Sequence, residues 1–68
     1  MSKRLTTKQK AFAEEYIRNG GNGTQAAMKA YDTESYKTAS AISVENLEKP
    51  LIIEELVKTA RRLGVTEE

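Results

Sequence analysis

Residues 18–31, RNGGNGTQAAMKAY, hold three glycines in four positions and then run into an alanine-rich segment. A glycine-rich turn that feeds a helix can cradle phosphate on its backbone amides, so this stretch is the first whose residue types could do chemistry. A Walker-type phosphate loop needs Lys and then Ser or Thr directly after its last glycine, and a buried strand ahead of it. Here Thr24 and Gln25 follow Gly23, and the preceding segment has helical periodicity. The dinucleotide fingerprint fails in the same way, because no strand precedes the glycines and no βαβ unit fits. The glycines are expected to end one helix and free the chain to begin another.

Other chemistry is restricted by what the chain lacks. It contains no cysteine and no histidine, which removes thiolate ligands, disulfides, the commonest general base and the commonest zinc ligand. Glu54 and Glu55 form no catalytic dyad, because adjacent helical positions do not face each other. Favourable charge near a helix N-terminus accounts for both. No catalytic residue, metal site or cofactor is expected.

What remains is binding. The net charge is only +1, but it is unevenly spread. Residues 1–31 carry six bases (Lys3, Arg4, Lys8, Lys10, Arg18, Lys29) against two acids, a balance of +4. Residues 32–57 carry two bases against six acids, a balance of −4, and residues 58–68 return to +1. The basic half could face a polyanion, while the acidic half suits a different partner. No run reaches the roughly 18 apolar residues of a membrane span, and no signal peptide precedes the first helix. The chain is expected to be soluble and intracellular, with no membrane partner.

These residues need elements to hold them, and the periodicity predicts an all-α fold, a compact bundle of about four short helices. Sixty-eight residues allow one small domain with a thin core. Residues 1–5, MSKRL, read as a flexible basic arm and residues 65–68 as a disordered tail, leaving 6–64 as the domain. Thr6 has Gln9 at capping-box spacing, and Ala11, Phe12, Tyr16 and Ile17 share one face of the first helix. Asn19, Gly20 and Gly21 stop it. The second helix begins with Asn22 as cap and Gln25 as its reciprocal partner, or else with Thr24 as cap. It carries Ala26, Ala27, Met28, Ala30 and Tyr31, and its alanines are small enough for close helix approach. After DTES, a third helix turns Ala39, Ile42 and Leu47 inward and ends at Lys49-Pro50. Pro50 opens a fourth, with Ile53, Leu56, Val57, Ala60 and Leu63 on its inner face, Ile52 on the flank and Gly64 as C-cap.

A short second helix, a turn and a third helix, both packed on a longer first one, outline a helix-turn-helix, whose second member lies in the DNA major groove. The third helix would offer Ser35, Tyr36, Lys37, Thr38 and Ser40 to base edges or phosphates. Each has an ordinary alternative. Ser35 can be a cap, Tyr36 can pack inward, and Lys37 can be a solvated lysine. Lys3, Arg4, Lys8 and Lys10 could follow the backbone or reach a minor groove, as basic arms do, or be plain surface. Thr24 and Gln25 could contact phosphate, although capping explains both. The amides opening the second and third helices add donors for phosphate. On spacing alone, four short amphipathic helices describe DNA-binding and protein-interaction modules equally well.

Three stretches break that tie. LTTKQKAFAEEYI, NGTQAAMKAY and TASAISVENLEKPLI resemble, in order and spacing, the N-terminal domain of bacteriophage terminase small subunits. The usual form in that family is L-T-x-K-Q-x-x-F, then N-x-T-x-A-A in the second helix. A helix ending in E-N-L-x-K-P leads into a further helix. The resemblance covers residues 5–57. Two departures stand out. Many members have a Gly-Tyr-Ser turn before the third helix, where this chain has YDTESYKT, about two residues longer. Gly23 replaces a common alanine, which is expected to loosen the start of the second helix.

The resemblance implies a DNA-binding domain that marks double-stranded viral DNA for packaging. It also implies partners: the packaging-initiation site, a large subunit carrying ATPase and nuclease, and further copies in a ring. The host cytoplasm is the implied location. Little chain follows residue 63, so an isolated or truncated DNA-binding domain is expected, monomeric on its own. Two other functions fit the same pattern. One is a helix-turn-helix regulator of transcription, and the other is an interaction module whose acidic half docks a partner such as the packaging motor.

Overall fold

The computed structural model describes residues 4–64, and these form four α-helices with no strand among them. They are α1 (Thr7–Arg18), α2 (Gly23–Ala30), α3 (Tyr36–Leu47) and α4 (Pro50–Leu63). The predicted basic arm (Lys3 included) and C-terminal tail fall largely outside the described residues. Leu5, assigned to the arm by its sequence context, is half-buried against the core.

Local chemistry explains the boundaries. Thr6 caps α1 with a full capping box. Its hydroxyl accepts the Gln9 N–H at 3.0 Å, and the Gln9 side chain accepts the Thr6 N–H at 2.9 Å. The helix ends in a Schellman arrangement, with Gly21 N–H donating to Tyr16 C=O and Gly20 N–H to Ile17 C=O. Both glycines take positive φ, 82° and 100°, which a side chain would resist. Asn19 organises the turn, because its Oδ1 accepts the Gly21 and Asn22 amides.

Asn22, not Thr24, caps α2, accepting the Gln25 N–H at 3.0 Å. The expected reciprocal bond from Gln25 is replaced, since Asn19 already holds the Asn22 amide. The α2–α3 turn places Asp32 at φ 53°, and Ser35 caps α3 through its Oγ on the Thr38 N–H. Pro50 occupies the first turn of α4, and Gly64 closes it in the left-handed conformation.

The helices form a flat body of 34 × 34 × 17 Å. α2 packs on both α1 and α3, α4 packs on α1, and α3 and α4 meet at only a few points. Phe12, Ala26, Ala27, Ala39 and Ile52 make up the fully buried cluster, with Ala13 also buried. Tyr16, Met28, Tyr31, Ile42, Leu47 and Leu56 pack around it. Ile17, expected in the core, is only half-buried.

The inner face of α4 differs from the expected one. Ile52 and Thr59 are buried and Leu56 packs on the core, whereas Ile53 and Val57 are 50% and 48% exposed. Two apolar stripes lie side by side on this helix, one residue apart in register, and the packing on α1 selects the one containing Ile52. On α3 the buried side chains are Ala39, Ser43 and Asn46, two of them polar.

Gly23 also differs from expectation. A Cβ at this position would overlap Ser43 Oγ and come within 3.3 Å of Ser43 Cβ and 3.6 Å of Leu47 Cδ1. The missing side chain seats α3 against α2. Close approach, not looseness, is what this glycine provides.

Candidate nucleic-acid interface

The outward face of α3 is graded along its length. Tyr36, Lys37 and Thr38 are exposed in its first turn, Ala41 and Val44 follow, and Glu45 and Glu48 lie at the far end. Lys37, Thr38, Ala41, Ile42, Val44, Glu45 and Glu48 line one shallow cleft. Tyr36 is 64% exposed, so of its two options the structure takes the outward one. Ser40 is half-buried. Ser35 is exposed, but its Oγ is committed to the Thr38 amide, which makes it a cap first.

This gradient has electrostatic consequences. The N-terminal half combines a cation, two hydroxyls and the positive end of the helix dipole, all favourable toward an anion. The C-terminal half sets two carboxylates beside Val44 and repels one. Along α3, an anion is therefore favoured at the first turns over the far end. Ala41 and Val44, which the periodicity did not single out, sit between these halves as exposed aliphatic contacts. Their signal was available as apolar residues outside the inward spacing of α3.

The remaining candidates do not join this face in one patch. Gln25 is exposed and lines a separate cleft with Asn22, Lys29, Thr33 and Glu34, closed on the α1 side by Glu15 and Asn19. There Lys29 pairs with Glu15 at 3.7 Å, so its charge is partly answered within the domain. Thr24 is half-buried in the first turn of α2. Arg4 and Lys10 line a third cleft with Leu51, Glu54, Glu55 and Lys58 of α4, and Lys8 is exposed on α1. Arg4 and Lys10 are thus seated beside α4 carboxylates, away from the first turn of α3. Side-chain caps also take one amide at the start of each of α2 and α3, which reduces the donors left for phosphate.

Among the described residues there is no cluster of three or more potential metal ligands, and no helix is long and apolar enough to cross a membrane.

A small all-helical domain, built around a helix-turn-helix whose second member keeps its outer face free of packing, is the class defined by these features. Its family follows from comparison with known proteins. The family model described as terminase small subunit matches residues 5–67, and the chain belongs to that family. The terminase small subunits of Bacillus phage SF6 and Bacillus phage rho15 are each 49% identical to it over 49 residues. Those residues are 72% of this chain and 32% of each relative, so the chain spans about a third of the length of the curated relatives it matches. No solved structure matches it significantly.

Proposed function

We propose that this domain is the DNA-binding part of a phage terminase small subunit, recognising the packaging-initiation site of viral double-stranded DNA and delivering it to the large subunit. The observation that carries the reading is the outer face of α3, where Tyr36, Lys37 and Thr38 project from the first turn and bear no packing duty. With α3 in a major groove, Lys37 meets a phosphate or a guanine edge, and Tyr36 and Thr38 offer hydroxyl donors. Ala41 and Val44 can touch thymine methyls. Glu45 and Glu48 keep the far end of the helix off the phosphates, which fixes the direction of entry. Thr24, Gln25, the arm bases Lys3 and Arg4, and Lys8 and Lys10 of α1 contribute at most flanking backbone contacts. One copy with a net charge of +1 binds weakly. Copies joined in a ring by the rest of the protein raise the affinity through effective concentration. The work takes place in the host cytoplasm, and the domain itself catalyses nothing.

Titrating labelled phage DNA that carries a packaging site, against unrelated duplex at two salt concentrations, tests this. Weak binding that falls steeply with salt is expected, with NMR shifts centred on residues 35–40. Lys37→Ala should lower affinity and reduce the salt slope by about 1. Absence of binding at low salt, or shifts confined to residues 45–60, would overturn it.

An alternative reading draws on the exposed Val44, Ile53 and Val57 with Glu45 and Glu48. In it the acidic end of α3 and the outer stripe of α4 dock a protein such as the packaging motor. Shifts confined to residues 45–60 are its signature.

A further inference from the structure

α3 is held to the rest of the domain in an unusual way. The side chains it buries, Ala39, Ser43 and Asn46, are all small or polar, and it meets α4 at few points. Ile42 and Leu47 add only partly buried apolar contact, and because apolar packing is non-directional it does not by itself fix the angle of α3 on α2. Two specific contacts take over. Ser43 seats on the Cα of Gly23, which forms a pivot. Three residues on, the buried Asn46 donates its Nδ2 hydrogen to the Tyr31 hydroxyl at 3.0 Å. Every other side-chain hydrogen bond among the described residues joins positions at most four apart. This one spans fifteen and ties the C-terminal end of α3 to the C-cap of α2.

We propose that Tyr31 and Asn46 are a positioning pair, setting the angle at which α3 presents Lys37, Ala41 and Val44. The inference rests on the DNA-binding reading of α3. A pivot at Ser43 leaves about 10 Å of helix, seven residues at 1.5 Å each, between the pivot and Tyr36. A swing of about 10° then moves that end by about 2 Å, well beyond the ~0.5 Å within which a binding constellation must be held. The hydrogen bond is directional where the surrounding contacts are not. Its contribution is to orientation rather than stability, because replacing both partners of a buried bond by apolar groups of similar shape can be nearly neutral. Removing the Tyr31 hydroxyl alone is different, since it leaves the buried Asn46 amide unsatisfied, whereas Tyr31 itself is only half-buried.

The test uses this 68-residue chain with Tyr31→Phe, Asn46→Leu and the two combined. Residual dipolar couplings of the free protein give the orientation of α3 relative to α2 without any DNA. The DNA probe is a duplex selected from a randomised pool by the wild-type chain, compared with a scrambled duplex of equal length. The double variant should unfold cooperatively at nearly the wild-type temperature. Its α3 couplings should no longer fit the wild-type orientation, and its preference for the selected duplex should fall tenfold or more with unchanged affinity for the scrambled one. Tyr31→Phe alone should be less stable than the double variant and show the same loss of preference, so it carries the test if the double variant fails to fold. Wild-type couplings in the variants overturn the pair's role, as does full preference in a variant whose α3 has moved. If the wild-type chain selects no duplex at all, the DNA reading fails, while the couplings still decide whether the pair orients α3.

Discussion

Gly23→Ala sets two opposing effects against each other at one position. Alanine is the better helix former, by up to about 1 kcal/mol in a helix interior and by less at the first helical residue, where Gly23 stands. Against this, the new methyl overlaps Ser43 Oγ and comes within 3.3 Å of Ser43 Cβ. Rotating the hydroxyl relieves the first clash but not the other, because Cβ does not move with χ1. Ser43 Cβ then has to give by a few tenths of an ångström, and overpacking of this kind costs about 1–3 kcal/mol. The net expectation is a loss of about 1–2 kcal/mol, which in a domain of this size lowers the unfolding temperature by roughly 5–15 °C. Thermal unfolding by circular dichroism of the wild type, Gly23→Ala, Ser43→Ala and the double variant measures it as a cycle. Ser43→Ala alone should change little, and the double variant should recover only the small part of the loss that comes from re-orienting the hydroxyl, a coupling of about 0.5 kcal/mol, because alanine keeps the Cβ. A Gly23→Ala protein as stable as the wild type would refute the close-approach argument, leaving helix propensity as the dominant effect.

Three further outcomes test the fold in urea or thermal unfolding. Thr6→Ala removes the hydroxyl arm of the α1 capping box and should cost about 1 kcal/mol. Ile52→Ala should cost about 2–5 kcal/mol and the neighbouring Ile53→Ala less than about 1 kcal/mol, and equal costs would show that the inner face of α4 is misassigned. Asp32→Gly relieves a left-handed residue at φ 53°. It should stabilise by about 0.5–1 kcal/mol, a strain of about 1–2 less the entropy that glycine adds to the unfolded chain.

Features decided within a few residues were the most legible in the sequence. The Thr6–Gln9 box, the glycine stop after Asn19, the Pro50 start and the Gly64 cap all act over three or four positions, and each is present in the structure. Decisions that depend on a partner across an interface were not readable. On α4, the stripes containing Ile52 and Ile53 are both apolar, and only the packing on α1 separates them. Ser43 and Asn46 resemble surface residues until Gly23 and Tyr31 are placed opposite them. The candidate site shows the same division. The start of α3 was legible from the cap and the turn, but the outward direction of Tyr36 was not. Neither was the separation of Arg4 and Lys10 from that turn, because both depend on where whole helices lie.

The outer face of α3 has one more consequence. Lys37, Thr38, Ala41 and Val44 could be exchanged for other residues with little penalty to the fold, since the interior is secured from the opposite side of the helix. Under the DNA-binding reading proposed above, mutational drift can therefore rewrite what this face recognises while the scaffold stays the same. A domain arranged in this way is suited to following a changing target, one surface residue at a time.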